Sequence, residues 1–202
     1  MKRPSTSSER LRVQVAREAA RLLAQGSTDP LSARRRAAER LGIRLPPSAL
    51  PGSEEILAAL AEYRALFGGG LAPDELRRRR EAALDAMTAL AAFDPRLAGP
   101  VLDGSAGDHD PVLLHLHTDE PEAVARHFMD LDIPARLGRA RAQLAVGRRA
   151  EDLPCWRLEA GGVPFELWVL PLQSARQGPP DPLDGKPLPR AGTAAVARLI
   201  AG

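Results

Sequence analysis

The sequence predicts an α+β fold, a helical N-terminal region followed by a small mixed-sheet domain. Three observations predict it. Up to residue 95, apolar residues recur at helical spacing in four segments. After Pro95 the pattern changes to short apolar runs bounded by Gly, Pro and Asp, as strands and turns require. Hydrophobic residues make up 44% of the chain and aromatics only 3%, so the core is built from Leu, Ala and Val rather than from rings.

Residues 1–7 are polar and are expected to be a disordered tail. A helix is expected from Ser8 to Gln25, with Leu11, Val15, Ala19, Leu22 and Leu23 on one face and Gly26 as its stop. The next opens with Asp29 as N-cap and Pro30 in the first turn. Leu31, Arg34, Ala38 and Leu41 form its stripe, and Gly42 suits the position after its end. A third starts at Ser53, with Glu54 and Glu55 in its positive first turn. Ile56, Leu60, Tyr63 and Phe67 form its apolar face, and "GGG" at 68–70 stops it. A fourth runs from Pro73, with Leu76, Ala83, Leu84, Met87 and Leu90 at helical spacing, to Asp94-Pro95. Residues 8–95 are therefore read as all-helical and 96–202 as the α+β domain.

In that domain "AGPVLDGS" reads as a short strand entering a turn, and "VLLHLH" as a second strand. "DEPEAVARHFMDLDI" is a helix, and "RLGRARAQLAV" fits strand or helix. "CWRLEAGGVPFELWVLPL" is a hairpin about Gly161-Gly162. "QGPPDPLDGKPLPR" is a long loop and "TAAVARLI" a last helix. A sheet of about four strands with helices on one side follows.

Net charge is +2, with 16 basic and 12 acidic side chains in residues 1–95 and 12 and 14 in 96–202. This permits an anionic partner for the first half without demanding one. A single cysteine, Cys155, excludes an internal disulfide and a cysteine-cluster zinc site. No apolar run approaches the roughly 20 residues that span a membrane. The N-terminus has no apolar signal core, so the chain is expected to be soluble and cytoplasmic, with no membrane partner.

One stretch, "VLDGSAGDHDPVLLHLHTDE" (101–120), orders its residues as metal-dependent phosphoryl transfer does: strand, Gly-Ser turn, acids, strand. Gly104 permits close approach of a phosphate and Ser105 offers a hydroxyl. Asp108 and Asp110, two apart, share a side if that segment is extended. Glu166 in "FELWVL" could add a third carboxylate from a neighbouring strand, the set that holds Mg²⁺ for two-metal chemistry. The same residues also make an ordinary polar loop. His115 and His117, two apart on a strand, with His109 nearby, could join Asp110 or Glu166 at a transition metal or could simply be tolerated on a half-buried face. Arg34, Arg35, Arg36 and Arg40 form one basic cluster and Arg77, Arg78, Arg79 and Arg80 another. They could meet nucleic-acid phosphates or a protein, or form a solvated face with pairs such as Arg77–Glu81. Four consecutive arginines sweep round a helix, so at least one must lie along the core boundary. Cys155 and Trp156 read as core, and Trp168 as core or the floor of a base pocket.

Four segments, "ARRRAAERLG", "EILAALAEYRALF", "REAALDAMTALAAFDPRLAGPVLDGSA" and "LLHLHTDEPEAV", carry a resemblance that runs from about Leu11 to the C-terminus. The chain resembles a family of uncharacterised bacterial proteins assigned to the DNA polymerase β-like nucleotidyltransferase superfamily. The resemblance implies a nucleotidyltransferase-like α+β domain, Mg²⁺ if the site is active, and nucleotidyl transfer to an acceptor. In that family the turn is followed by a stretch like "HSDIxL", with Asn or His two residues after the aspartate. Laid without gaps, Gly104, Ser105 and His109 match, Asp110 falls on the Ser, Pro111 on the Asp and Leu113 on the Asn or His. A one-residue shift restores Asp110 but puts Val112 at the second position. Either way the metal site is degenerate. The expectation is a nucleotidyltransferase-like protein with weak or lost transfer, Asp110 and Glu166 being its catalytic remnants. The alternative is a non-catalytic binding module. Some family members are labelled UDP-N-acetylmuramate–alanine ligase, but the only Gly-Lys here, Gly185-Lys186, precedes Pro187 and lacks the ATP-binding loop.

Overall fold

A computed structural model of the chain describes residues 6–24, 30–67, 70–181 and 185–202. The chain forms two compact units, one ending at Gly70 and one comprising Leu71–Asp181 and Gly185–Gly202. Asp29, Gly26, Gly68 and Gly69 lie outside the described residues, as do residues 1–5 of the expected tail.

The first unit holds helices α1 (Thr6–Ala24), α2 (Pro30–Arg40) and α3 (Ser53–Phe67). Thr6 and Ser7, assigned from sequence to the tail, begin α1. Its core is small: Val15, Ala16, Ala19 and Ala20 of α1 meet Ala33, Ala37 and Ala38 of α2 and Ile56, Ala59 and Leu60 of α3. Of the expected stripe of α2, Arg34 and Ala38 are buried and the two leucines are not. Leu31 and Leu41 are 39% and 42% exposed, while Ala33 and Ala37 are fully buried. Alanines let α1 and α2 approach closely, and that contact sets the face rather than the larger leucines. Gly42 ends α2 at φ +64°, and Ile43 N–H donates to Ala38 O at 2.9 Å, a Schellman closure. Glu55, third in α3, accepts from Gly52 N–H at 3.0 Å and from Arg12 Nε of α1 at 2.7 Å, so one carboxylate caps a helix and ties two together.

The second unit begins with α4 (Pro73–Ala89), the helix that sequence grouped with the N-terminal region. Its Ala83 and Met87 are fully buried in the core of the sheet unit. The six strands are β1 (Arg96–Ala98), β2 (Val112–His117), β3 (Arg136–Ala142), β4 (Glu151–Ala160), β5 (Val163–Leu170) and β6 (Arg190–Ala191). Their order is β3-β4-β5-β2-β1-β6, with β2 and β5 parallel and every other pair antiparallel. The fold is therefore α+β with a mixed sheet. Among the described residues it has six strands where about four were expected, because "RLGRARA" is a strand and a two-residue strand follows the Pro-rich loop.

The first strand also sits earlier than expected. Arg96–Ala98 is β1, and Pro100–Asp103 is a short helix, α5. Pro100 has no N–H to give a ladder but suits a first helical turn. Helices α4, α5, α6 (Pro121–Asp130) and α7 (Thr193–Ala201) cover one face, packing on Leu97, Val112, Leu114, Leu116, Phe165, Leu167 and Val169. The other face carries Leu113 beside Glu166, His115 beside Trp168 and His117 beside Leu170 on the paired β2 and β5. Ser174, Gly178, Pro179 and Pro180 are buried along the segment after β5. No helix among the described residues is long and apolar enough to cross a membrane.

Candidate functional site

Gly104, Ser105, Asp108 and Asp110 were expected, with Glu166, to form the phosphate and metal site, and arginines from α4 shape their segment. Arg80 donates from Nε to Val101 O at 3.0 Å and from Nη2 to Leu102 O at 3.1 Å, satisfying carbonyls that a four-residue helix leaves open. Arg79 is 6% exposed. It donates to the backbone oxygens of Gly107 (3.3 Å), Asp108 (3.0 Å) and Asp110 (2.5 Å), and its Nε holds Glu75 at 3.0 Å. Together Arg78 and Arg79 pull the Glu75 carboxyl down to about 2.

This geometry sets Gly104 and Ser105 at the C-terminal end of a helix rather than at its start. Gly104, at φ +85°, closes the C-terminal end of α5, where the helix dipole is negative and carbonyls point outward. Ser105 N–H donates to Asp103 Oδ1 at 2.8 Å, and its Oγ is buried without a hydrogen-bond partner. The strand–glycine–helix turn lies instead at Gly99-Pro100. Gly99 has φ 69° and ψ −158°, a conformation open essentially to glycine alone. Pro100, the residue after it, offers neither N–H nor hydroxyl to an anion.

Asp108 and His109 form a turn, so Asp108 and Asp110 do not share the face of an extended strand. Asp110 Oδ2 accepts from Gly107 N–H at 2.8 Å, closing its own loop. In the β2–β5 register the neighbour of Glu166 is Leu113, not Asp110. Leu113 also lies against Gly99, where an added Cβ would be 3.4 Å from its Cδ2. Thus the apolar Leu113 stands between Glu166, its neighbour on β5, and Gly99, the residue that follows β1. Glu166 Oε1 accepts from Cys155 Sγ (3.2 Å), Arg157 Nη2 (3.1 Å) and Trp168 Nε1 (3.2 Å). Among the described residues no group of three or more His, Cys, Asp or Glu side chains is placed to hold a metal ion, so Asp108, Asp110 and Glu166 do not form the expected trio. The residues present do not fit Mg²⁺: a cation at Glu166 would face Leu113 and compete with the Arg157 guanidinium.

The histidine pair occupies the same face. His117 is 1% exposed, with Nδ1 2.7 Å from Asp94 O and Nε2 3.0 Å from Arg190 Nη1. A carbonyl only accepts and a guanidinium only donates, so His117 is neutral with its proton on Nδ1. Arg190 also reaches Ala175 O at 3.3 Å, fastening the segment after β5 to the sheet. His115 is fully buried, stacks on Trp168 at 5.5 Å, and neither ring nitrogen has a hydrogen-bond partner. Of the two roles expected of Trp168, packing is the one this stack shows. His109 lies in the Asp108–His109 turn and is exposed.

Cys155 is fully buried, and burial together with the hydrogen bond to Glu166 pushes its thiol up to about 12. It is expected to resist a disulfide reagent at pH 8 in the folded protein and to react on denaturation; thiol titration with and without urea checks this.

The arginine clusters divide between buried carbonyl contacts, ion pairs and exposed side chains. Arg34 is buried and donates to Pro51 O at 3.1 Å. Arg79 and Arg80 serve backbone carbonyls as described. Arg78 holds Glu75 and also donates to Gly161 O at 3.1 Å. Arg77 pairs with Glu81 at 3.0 Å, the i,i+4 pair that the spacing suggested. Arg35 and Arg36 are exposed. The run of four arginines signalled a snorkelling side chain, but nothing local marked Arg157 or Arg190. No protein-family model and no curated protein matches the chain.

Proposed function

We propose that this chain is a nucleotidyltransferase-like cytoplasmic protein that has lost metal-dependent transfer and acts as a non-catalytic binding module. The observation that carries the proposal is that Leu113 of β2 lies between Gly99, at the start of α5, and Glu166 of β5. A strand–glycine–helix turn, a central strand and an acid on the neighbouring strand stand in the order that transfer chemistry uses. The central strand, however, offers Leu113 where a second carboxylate is needed, and Pro111 precedes it. Glu166 is engaged as the acceptor of Arg157, Cys155 and Trp168, a role that stabilises the sheet. Two-metal catalysis needs both carboxylates to clamp the attacking and leaving oxygens. Cytoplasmic placement rests on the charged, single-cysteine composition.

Calorimetric titration with each nucleoside triphosphate, with and without Mg²⁺, tests the reading. The expected result is no metal-dependent heat up to about 1 mM ligand, roughly the weakest affinity such an assay resolves. Metal-dependent binding that disappears in Glu166→Gln would restore the enzyme reading.

A further inference from the structure

We infer that the β3 edge of the sheet is a docking site for an acidic, extended peptide segment of a partner protein. β3 is an outer strand, and no strand lies beyond it among the described residues. It is seven residues long, about 23 Å at strand rise, whereas the opposite edge, β6, has two residues. An edge strand offers a row of backbone N–H and C=O groups to an added strand.

The charge on this edge selects the partner. Five arginines lie at Arg136, Arg139, Arg141, Arg148 and Arg149, against Glu151 and Asp152 on the next strand. All five are exposed, and among the described residues the only ion pair any of them makes is Arg139 with Asp152, at 3.8 Å. Register places Arg139 and Arg141 on the helix-covered side and Arg136 on the other. Arg157 reaches over β3 on that second side: an added Cβ at Gly138 would lie 2.6 Å from its Nη1. Gly138 thus keeps the strand bare enough for a guanidinium to lie across it. Cationic groups flank the backbone edge on both sides, and Leu137, 63% exposed, adds an apolar contact.

The same charges decide between occupants. A second copy of this edge would bring arginines against arginines and is repelled. Single-stranded nucleic acid would use exposed rings for stacking, and β3 has none. An acidic strand satisfies both the open backbone and the guanidinium rows. This inference supplies a partner for the binding-module reading and rests on it only in that sense. Failure of the peptide assay leaves the nucleotide titration unchanged, and the reverse holds too.

The test is fluorescence anisotropy with the full chain and a labelled heptapeptide of Glu, Thr and Val. Saturable binding is expected, weakening with salt. Arg139→Glu with Arg141→Glu should weaken it by about tenfold or more. A peptide of the same sequence with alternate backbone amides N-methylated should lose affinity by a similar factor on the unaltered protein, because it keeps the charge and loses the ladder bonds. That comparison needs no variant to fold. No binding at about 1 mM peptide, equal binding of the N-methylated peptide, or tighter binding of oligothymidylate would each overturn the proposal.

Discussion

Replacing Arg79 by Ala is expected to lower the unfolding free energy of the sheet unit by about 3–5 kcal/mol, the range for removing one partner of a buried charge-assisted network. The guanidinium reaches the backbone oxygens of Gly107, Asp108 and Asp110 from one position on α4. Without it, carbonyls of a non-repetitive loop lose their donor in a site that is 6% exposed at Arg79. Arg79→Lys should recover only part of the loss. An ammonium on a single stem cannot hold Glu75 and span three oxygens as the planar fork does. Urea unfolding followed by tryptophan emission measures this cleanly, because both tryptophans, Trp156 and Trp168, lie in the sheet unit. A lower midpoint with unchanged slope is the expected form. A loss below about 1 kcal/mol, within the range of a surface change, would mean that the loop holds itself.

The second unit also shows which parts of the fold the sequence exposes and which it hides. Helical faces and the hairpin about Gly161-Gly162 are local: their periods and turn residues lie within one segment. Val163–Leu170 alternates because one side meets helices and the other meets Glu166-centred polar contacts, so its strand was legible. Arg96–Ala98 was not, since three residues carry no period, and its strand exists through pairing with both β2 and β6. Arg190–Ala191 is shorter still. The geometry of the expected site residues was hidden for a related reason. "DGS" looks like a phosphate turn whichever end of a helix it occupies, and only the position of Pro100 in three dimensions shows that it closes α5. Asp108 and Asp110 have strand spacing, but Arg79 gathers the surrounding carbonyls into a turn. Long-range donors of this kind leave no local signal. That Leu113 is the neighbour of Glu166 is likewise a matter of β2–β5 register, which no local pattern carries.

Stability of the sheet unit is expected to rise by roughly 3 kcal/mol between pH 4.5 and pH 6.5, with His115 as the main cause. Burial, then the positive charge of Arg190, then His117, lowers the His115 imidazole from 6.5 to about 3. Arg96 is its cross-strand partner on β1 and Trp168, itself bonded to Glu166, its stacking partner on β5. In the unfolded chain the ring binds a proton near its ordinary value. Between that value and about 3 the unfolded state therefore holds more protons, and acid favours it. The contribution is complete above pH 6.5 and is lost as pH falls towards about 3. His117 acts in the same direction, chiefly because burial disfavours its charge, and its protonation would remove the lone pair that Arg190 uses. Among the carboxylates held low, only Glu75 lies in this unit; its stabilisation is lost from its unfolded value of 4.5 downward, so it adds to the slope only at the acid end of the window, and His115→Phe separates it from the imidazole. His115→Phe keeps a ring against Trp168 and removes two buried nitrogens without hydrogen-bond partners. It should flatten most of the slope between pH 4.5 and 6.5 and leave the variant at least as stable as the original at pH 5. An unchanged slope in urea unfolding of His115→Phe would show that the acid sensitivity arises elsewhere, and a flat profile in the original protein would show that the ring is not held neutral by its surroundings.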